Sequence, residues 1–471
     1  MDEENIATGH RVLQGWRFVL FSMGTLGQMA PIGFYNTYAV TFYNYTVGLN
    51  PAITFIGLFM GLTLFAVMAP VFGTIIDNKA PGRLGKRKPF LLLGIPLIIV
   101  LMVVAWLPPM CPVGEPNHLP TVVHYLVVSA LIYTNQGLLV STYLSMLAEQ
   151  STEPGNRVKI ATLQGIFSIV GTVLSILIPI ILESKIVDPE RTEWYQPSGQ
   201  YLASTLPLYG IVFGVIGALS FMSAFLASDE SFFLKSGNVK AQKLQKLSLA
   251  GAFHQIKVPF KDKNYRYWLG NAFFFNMAIR ILIVVLIPLM RYVLVLEQSQ
   301  NIWFFLSIVP FALGGYVLWA RRIKTAGLKA SYSLSLLVNV IFAFGALVFT
   351  IPMGLELRFG LGAMVLGILI SSLVGGYLFP NPIVSTLVDR APETIRKEAD
   401  LAGRGLSGSY FGSYIFAYNI SQALTNIVLV FILTEETKQN PIYILGTLPI
   451  AGVMVLASYL LLRRLDLPAG K

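Results

Sequence analysis

Long apolar runs, separated by short polar segments, recur from one end of the chain to the other. A helix rises ~1.5 Å per residue, so crossing a ~30 Å hydrocarbon layer takes ~20 residues. On that measure the pattern predicts six membrane-spanning helices in the first half, near 16–44, 52–76, 89–108, 121–148, 158–183 and 203–227. Six more follow near 267–294, 300–320, 331–352, 358–387, 405–433 and 441–462. A membrane β-barrel would instead alternate polar and apolar residues over ~10-residue segments, and this chain does not. The fold class is therefore an all-α membrane protein with twelve transmembrane helices.

The polar segments divide by charge. Those at 77–88, 149–157, 228–266, 321–330 and 388–404 are rich in lysine and arginine, with five cations from Lys79 to Lys88. The intervening segments, such as PPMCPVGEPNH and EETKQNP, carry few. Cations near span ends resist translocation, which places the basic segments and both termini on the cytoplasmic side of the plasma membrane. The longest basic segment, 228–266, reads either as a surface-lying amphipathic helix or as a solvated linker. It parts an N-terminal bundle, 1–227, from a C-terminal bundle, 267–471, giving two pseudo-symmetric six-helix bundles. The segment from Ala320 to Lys329 faintly echoes the basic turn at 77–90.

Composition narrows the function classes. The 471 residues are 55% hydrophobic and 12% charged, against about 25% charged in soluble domains. The net charge of +11 sits in short loops and so argues for membrane topology and against a nucleic-acid groove. A single cysteine, Cys111, excludes an internal disulfide and a CxxC metal site. The four histidines show no metal-ligand spacing, and no nucleophile–base or phosphate-binding constellation occurs. The expectation is a protein that is not an enzyme and has neither a metal nor a cofactor. The polar start MDEENIATGH has none of the features of a cleaved signal peptide.

Hydrogen-bonding side chains inside the apolar runs supply the candidate chemistry. Gln28 and Asn36 fall in the first run, Asn135 and Gln136 in the fourth, and Gln164 in the fifth. The seventh holds Asn276 and Arg280, and the eleventh Tyr418, Asn419 and Gln422. Amides offer both donors and an acceptor and so suit the hydroxyls of a sugar, although they also tie neighbouring helices together. Arg280 lies near the middle of its run, too deep to reach water easily. It must meet a partner or a wet cavity: either a substrate carboxylate or hydroxyl, or a structural set of tyrosines and helix carbonyls. Asn276, four residues earlier, shares its face. Tyr410, Tyr414 and Tyr418 form one stripe of the eleventh run. No carboxylate lies at mid-depth: Glu149 and Asp389 sit at cytoplasmic ends, Glu183 and Asp188 at the outer end of the fifth run.

Three stretches resemble a known family. Pro70-Val71-Phe72-Gly73, Asp77 and the run from Gly82 to Phe90 are similar to the signature of the glycoside–pentoside–hexuronide cation symporters, major-facilitator relatives that include melibiose permease and the sucrose transporters. Tyr143 to Glu149 with Asn156-Arg157, and Leu387-Val388-Asp389 with Gly403-Arg404, agree with two further family loops. The resemblance implies the major facilitator fold and transport of a sugar, glycoside or hexuronide, coupled to H⁺ or running as a uniporter. It also implies a sugar site at or beside Gln28, Gln136, Gln164 and Asn419. Asp77, Arg83, Glu149, Arg157, Asp389 and Arg404 would form the cytoplasmic gate. The acids that coordinate Na⁺ in cation-coupled members are replaced here by Phe65, Ala69 and residues near Met29 and Val140, so no Na⁺ site is expected. The alternative reading is a carrier of an amphipathic anion, a lysolipid or organic acid, with Arg280 reading its charge.

Overall fold

The computed structural model describes residues 12–80, 82–151, 154–230, 257–296, 300–401 and 406–467. Among them the regular structure is helical, apart from one isolated bridge between Gly82 and Gly85. Each apolar run contains a helix. These are α1 Gly15–Thr41, α2 Pro51–Asn78, α3 Lys88–Val104, α4 Leu119–Gln150, α5 Pro154–Glu183 and α6 Pro197–Ala227, followed by α7 Lys263–Pro288, α8 Gln300–Ala326, α9 Leu328–Gly345, α10 Leu355–Leu373, α11 Leu406–Ile432 and α12 Pro441–Arg464. Ten of the described helices are long and apolar enough to cross a membrane. Of the remaining two, α3 is apolar but 17 residues long, and α1 is long but carries Ser22, Thr25, Gln28, Asn36 and Thr37 along its length.

Local chemistry sets the ends. Proline opens α3, α4 and α12 at the first turn, where its missing N–H costs nothing. Asp262 caps α7 by accepting from the N–H groups of Asn264 (2.9 Å) and Tyr265 (3.3 Å). Both α1 and α7 finish in a six-residue π-turn, Phe42–Val47 and Leu289–Leu294. Each turn is followed at once by a left-handed residue, Gly48 (φ 84°) and Val295 (φ 50°). Apolar stripes at helical spacing, such as Leu93, Leu97 and Val100 on α3, stay exposed, as surfaces meant for lipid do.

The tenth span departs from the sequence reading. One helix is predicted over 358–387, yet α10 stops at Leu373, a one-turn helical piece Gly375–Leu378 follows, and a short helix Pro380–Asp389 resumes. Pro380, at the first turn of the last piece, has no N–H to continue the ladder. The segment read as a loop at 388–404 holds the helix Glu393–Leu401. The surface helix suggested for 228–266 falls mostly on residues 231–256, which lie outside the described residues.

The chain forms two compact units. The first gathers the described residues of Met1–Leu49, Met60–Pro179 and Gly199–Ala252; the second gathers Asn50–Phe59, Ile180–Ser198 and Phe253–Lys471. In the first, Phe34 stacks on Phe213 at 4.3 Å beside the buried Trp106. In the second, α7 packs along α12, α8 along α10 and α9 along α12. Tyr332 stacks on Phe379 at 4.6 Å within that core.

Candidate functional site

Within the first unit, the expected polar residues are drawn into bonds between helices. Gln136 on α4 donates through Nε2 to the carbonyl of Gln28 on α1 (2.7 Å). Gln164 on α5 donates to the Tyr143 hydroxyl (2.7 Å), which in turn donates to the carbonyl of Phe21 (2.8 Å) and lies 3.2 Å from the Thr25 hydroxyl. One phenol thus joins α1, α4 and α5. Gly24 makes room for it: a Cβ there would sit 2.5 Å from the Tyr143 ring. Tyr133 donates to Asn36 Oδ1 at 2.5 Å, and Asn135 donates to the carbonyl of Gly94 on α3 at 3.2 Å. Gln28, Asn36 and Gln164 are half-buried, whereas Asn135 and Gln136 are buried.

In the second unit Arg280 is 1% exposed, turned into protein and away from lipid. Its Nε donates to Oδ1 of Asn426 on α11 (3.3 Å), and Asn426 Nδ2 donates to the carbonyl of Gln422 one turn earlier (3.0 Å). The sequence reading offered a substrate, tyrosines or helix carbonyls as partners and passed over Asn426, one amide among several on α11. Asn276 and Asn419 donate back to carbonyls of their own helices, Ala272 (2.7 Å) and Ile415 (2.9 Å). Of the tyrosine stripe, Tyr410 donates to the carboxylate of Asp262 (2.8 Å), and Tyr418 lies 6.5 Å from Tyr414, ring to ring.

The gate residues fare differently. Arg83 and Asp389 are exposed. The side chains of Asp77, Glu149 and Arg157, and the whole of Arg404, lie outside the described residues. The acid that meets the basic turn is one the sequence reading did not single out. Glu230, just past α6, accepts through Oε2 from the N–H groups of Lys86 (2.5 Å) and Arg87 (3.0 Å). Gly85, at φ 89°, turns both N–H groups toward that oxygen; a Cβ on it would fall 2.0 Å from the carboxylate. The Arg87 guanidinium donates to the carbonyl of Ser145, and Gln150 pairs with the backbone of Asp229 through two 2.8 Å bonds.

A second feature was missed entirely. Arg291, in the π-turn after α7, makes a two-pronged pair with Glu183, Nε to Oε2 and Nη2 to Oε1, both at 2.6 Å. Its Nη1 donates to the Thr192 hydroxyl at 3.1 Å. Both charged side chains are 3% exposed, and all three residues belong to the second unit.

A family model described as MFS/sugar transport protein matches residues 20–435. No curated protein matches the chain by sequence. Several solved structures share its fold. A D-xylose–proton symporter has a TM-score of 0.64 at 13% identity, covering 96% of this chain and 98% of its own. The nucleoside transporter NupG gives 0.60 at 13%, covering 97% and 100%. The xylose transporter XylE from E. coli, in its inward-open conformation, gives 0.61 at 12%, covering 96% and 95%.

Proposed function

The chain belongs to the MFS/sugar transport protein family, and from that premise we propose that it carries a sugar, glycoside or hexuronide by alternating access. It is an integral membrane protein of the major facilitator fold and a secondary transporter of a sugar-like small molecule. Its place in this reading is the plasma membrane, with both termini cytoplasmic. The substrate contacts are Gln28, Asn36, Asn135, Gln136 and Gln164 in the first unit, with Asn276, Arg280, Tyr418, Asn419 and Gln422 in the second. Bonds between helices offset part of the cost of holding these amides so deep, and an amide, with two donors and an acceptor, keeps capacity to meet a hydroxylated solute as well. The xylose and nucleoside cargoes of the structural neighbours are of the same hydroxyl-rich kind.

The observation that carries the reading is Arg280, buried to 1% and held by an amide of α11. A guanidinium is a planar fork of donors, a geometry that matches a carboxylate or a pair of hydroxyls. Hexuronides present both. Movement runs either as uniport or with H⁺, because no Asp or Glu stands at mid-depth in any apolar run to hold Na⁺.

Uptake of labelled sugars and hexuronates into proteoliposomes, with and without a pH gradient, tests this. Arg280→Ala should lower uptake at least tenfold, and Arg280→Lys should recover part of it. Uptake that ignores Arg280→Ala would remove the residue from the site. Competition by lysolipids, with none by sugars, would favour the amphipathic-anion carrier instead.

A further inference from the structure

A cation at the end of a span needs only to reach the membrane surface, and one or two suffice to set topology. The C-terminal end of α12, within the second unit, gathers more than that. Arg463 and Arg464 close the helix and are exposed. Asn264 of α7 donates through Nδ2 to the carbonyl of Asp466 (2.9 Å) and accepts through Oδ1 from its N–H (2.8 Å). That pairing brings the start of α7, with exposed Lys263 and Arg266, beside the end of α12. Both cations share a face with Gly270, which abuts α12: a Cβ there would fall 2.9 Å from Leu461 Cδ1. Lys329, at the start of α9, donates through Nζ to the carbonyls of Arg463 (3.1 Å) and Leu465 (2.5 Å). Its ammonium is thereby spent on carbonyls that the end of α12 leaves open. The other cations are not spent: among the described residues none of Lys263, Arg266, Arg463 and Arg464 pairs with a carboxylate. The acids on these segments are Asp466, exposed, and Asp262, buried as the cap of α7.

The surface below the cations says what fits them. Val453, Leu456 and Leu460 are exposed on α12 and, three and four residues apart, form one stripe that runs on to Arg464. Neighbours wall the stripe on both sides. On one side is α9, where a Cβ on Gly452 would fall 3.0 Å from Ala343 Cβ and where Ile341 and Phe344 are exposed. On the other is α7, through Gly270. We propose that this end of the second unit binds an anionic phospholipid. Its phosphate sits among Lys263, Arg266, Arg463 and Arg464, and an acyl chain lies along Val453, Leu456 and Leu460. Guanidinium forks match phosphate oxygens, and basic pockets between spans on the cytoplasmic side take anionic headgroups. A choline or ethanolamine headgroup would return a positive charge to the cluster, and a free phosphate would leave the apolar stripe without a use. The proposal rests on the chain being embedded in a membrane and goes beyond what it carries.

The test uses the full chain in detergent, mixed with phosphatidylglycerol and phosphatidylcholine of the same acyl chains, with retained lipid counted by native mass spectrometry. The unaltered protein should keep phosphatidylglycerol in clear preference. Arg463→Gln with Arg464→Gln should weaken that binding about tenfold, the expected loss for two cations at an anionic surface. If that variant does not fold, Lys263→Gln with Arg266→Gln, from the α7 side, should show the same loss. Arg390→Gln with Lys397→Gln removes two exposed cations from segments that pack against α11, and should change nothing. Equal retention of the two lipids by the unaltered protein would overturn the proposal. So would an equal loss in the Arg390 and Lys397 variant, which would mean diffuse surface charge and no site. Competition by glycerol 3-phosphate at the same concentration as the lipid would make this a site for free phosphate and overturn the lipid. None of these readouts involves sugar uptake, so failure of the sugar reading would leave them standing.

Discussion

The helices that open the two halves of the chain, α1 and α7, end on the same backbone figure and fill it with opposite chemistry. Each closes in a six-residue π-turn, and each exits through a left-handed residue. The closing bonds also correspond: Leu49 N–H to Tyr43 O at 2.8 Å in one, Leu296 N–H to Met290 O at 3.4 Å in the other. Yet the third position is a buried neutral amide, Asn44, in the first turn and a buried cation, Arg291, in the second. The left-handed position is Gly48 in one and Val295 in the other. A glycine enters that region freely, whereas an L-residue with a side chain is strained there by ~1–2 kcal/mol. The first turn is thus relaxed and neutral; the second is charged and strained. One backbone figure carries a buried neutral amide in the first half and a buried, paired cation in the second.

Substitutions can break that contrast. The largest effect should come from Arg291→Met, which strands the Glu183 carboxylate away from water and should cost about 3–5 kcal/mol. Pairing it with Glu183→Leu should return most of the loss, because two apolar groups need no partner. Thermal unfolding in detergent, followed by tryptophan fluorescence, separates the two; equal melting of single and double variants would mean that the charges are not paired in the native protein. Next in size is Gly48→Val, which copies the strain of the second turn into the first. A Cβ there meets Cys111 Cβ at an ordinary 3.6 Å, so the cost is the backbone's, about 1–2 kcal/mol, read in the same melt. The smallest is the reverse change, Val295→Gly. Relief of strain, less the ~0.5–1 kcal/mol that glycine loses in chain entropy, should leave a stabilisation of about 0 to 1.5 kcal/mol.

The spans were legible because apolar length is a one-dimensional property: among the described residues every run holds a helix, and the tenth alone is split into three pieces. The second break in the tenth was also written, in Pro380, but a long apolar stretch masks such punctuation. Partnerships were not legible. Glu183 and Arg291 stand 108 residues apart and Glu230 and Arg87 143 apart, and nothing in one sequence says that such distant residues meet. Arg291 drew no notice because a cation near the end of a span looks like one that reaches to the membrane surface. Arg280 stood out for the opposite reason, its depth. Its partner Asn426 did not, since an eleventh helix with several amides offers no ground for choosing one. Gln136 and Gln164 were placed on the right helices by sequence, while the phenol of Tyr143 that joins three helices was read as part of a loop motif.

Because the second unit includes Asn50–Phe59 and Ile180–Ser198, the order of synthesis matters. Those two pieces leave the ribosome long before Phe253 and everything after it. They must wait in the bilayer, with the Glu183 carboxylate still lacking its arginine, until α7 arrives to complete the structure around them. The nascent chain therefore cannot finish its halves one after the other, and the late insertion of α7 closes contacts of long sequence separation, the kind that form slowly.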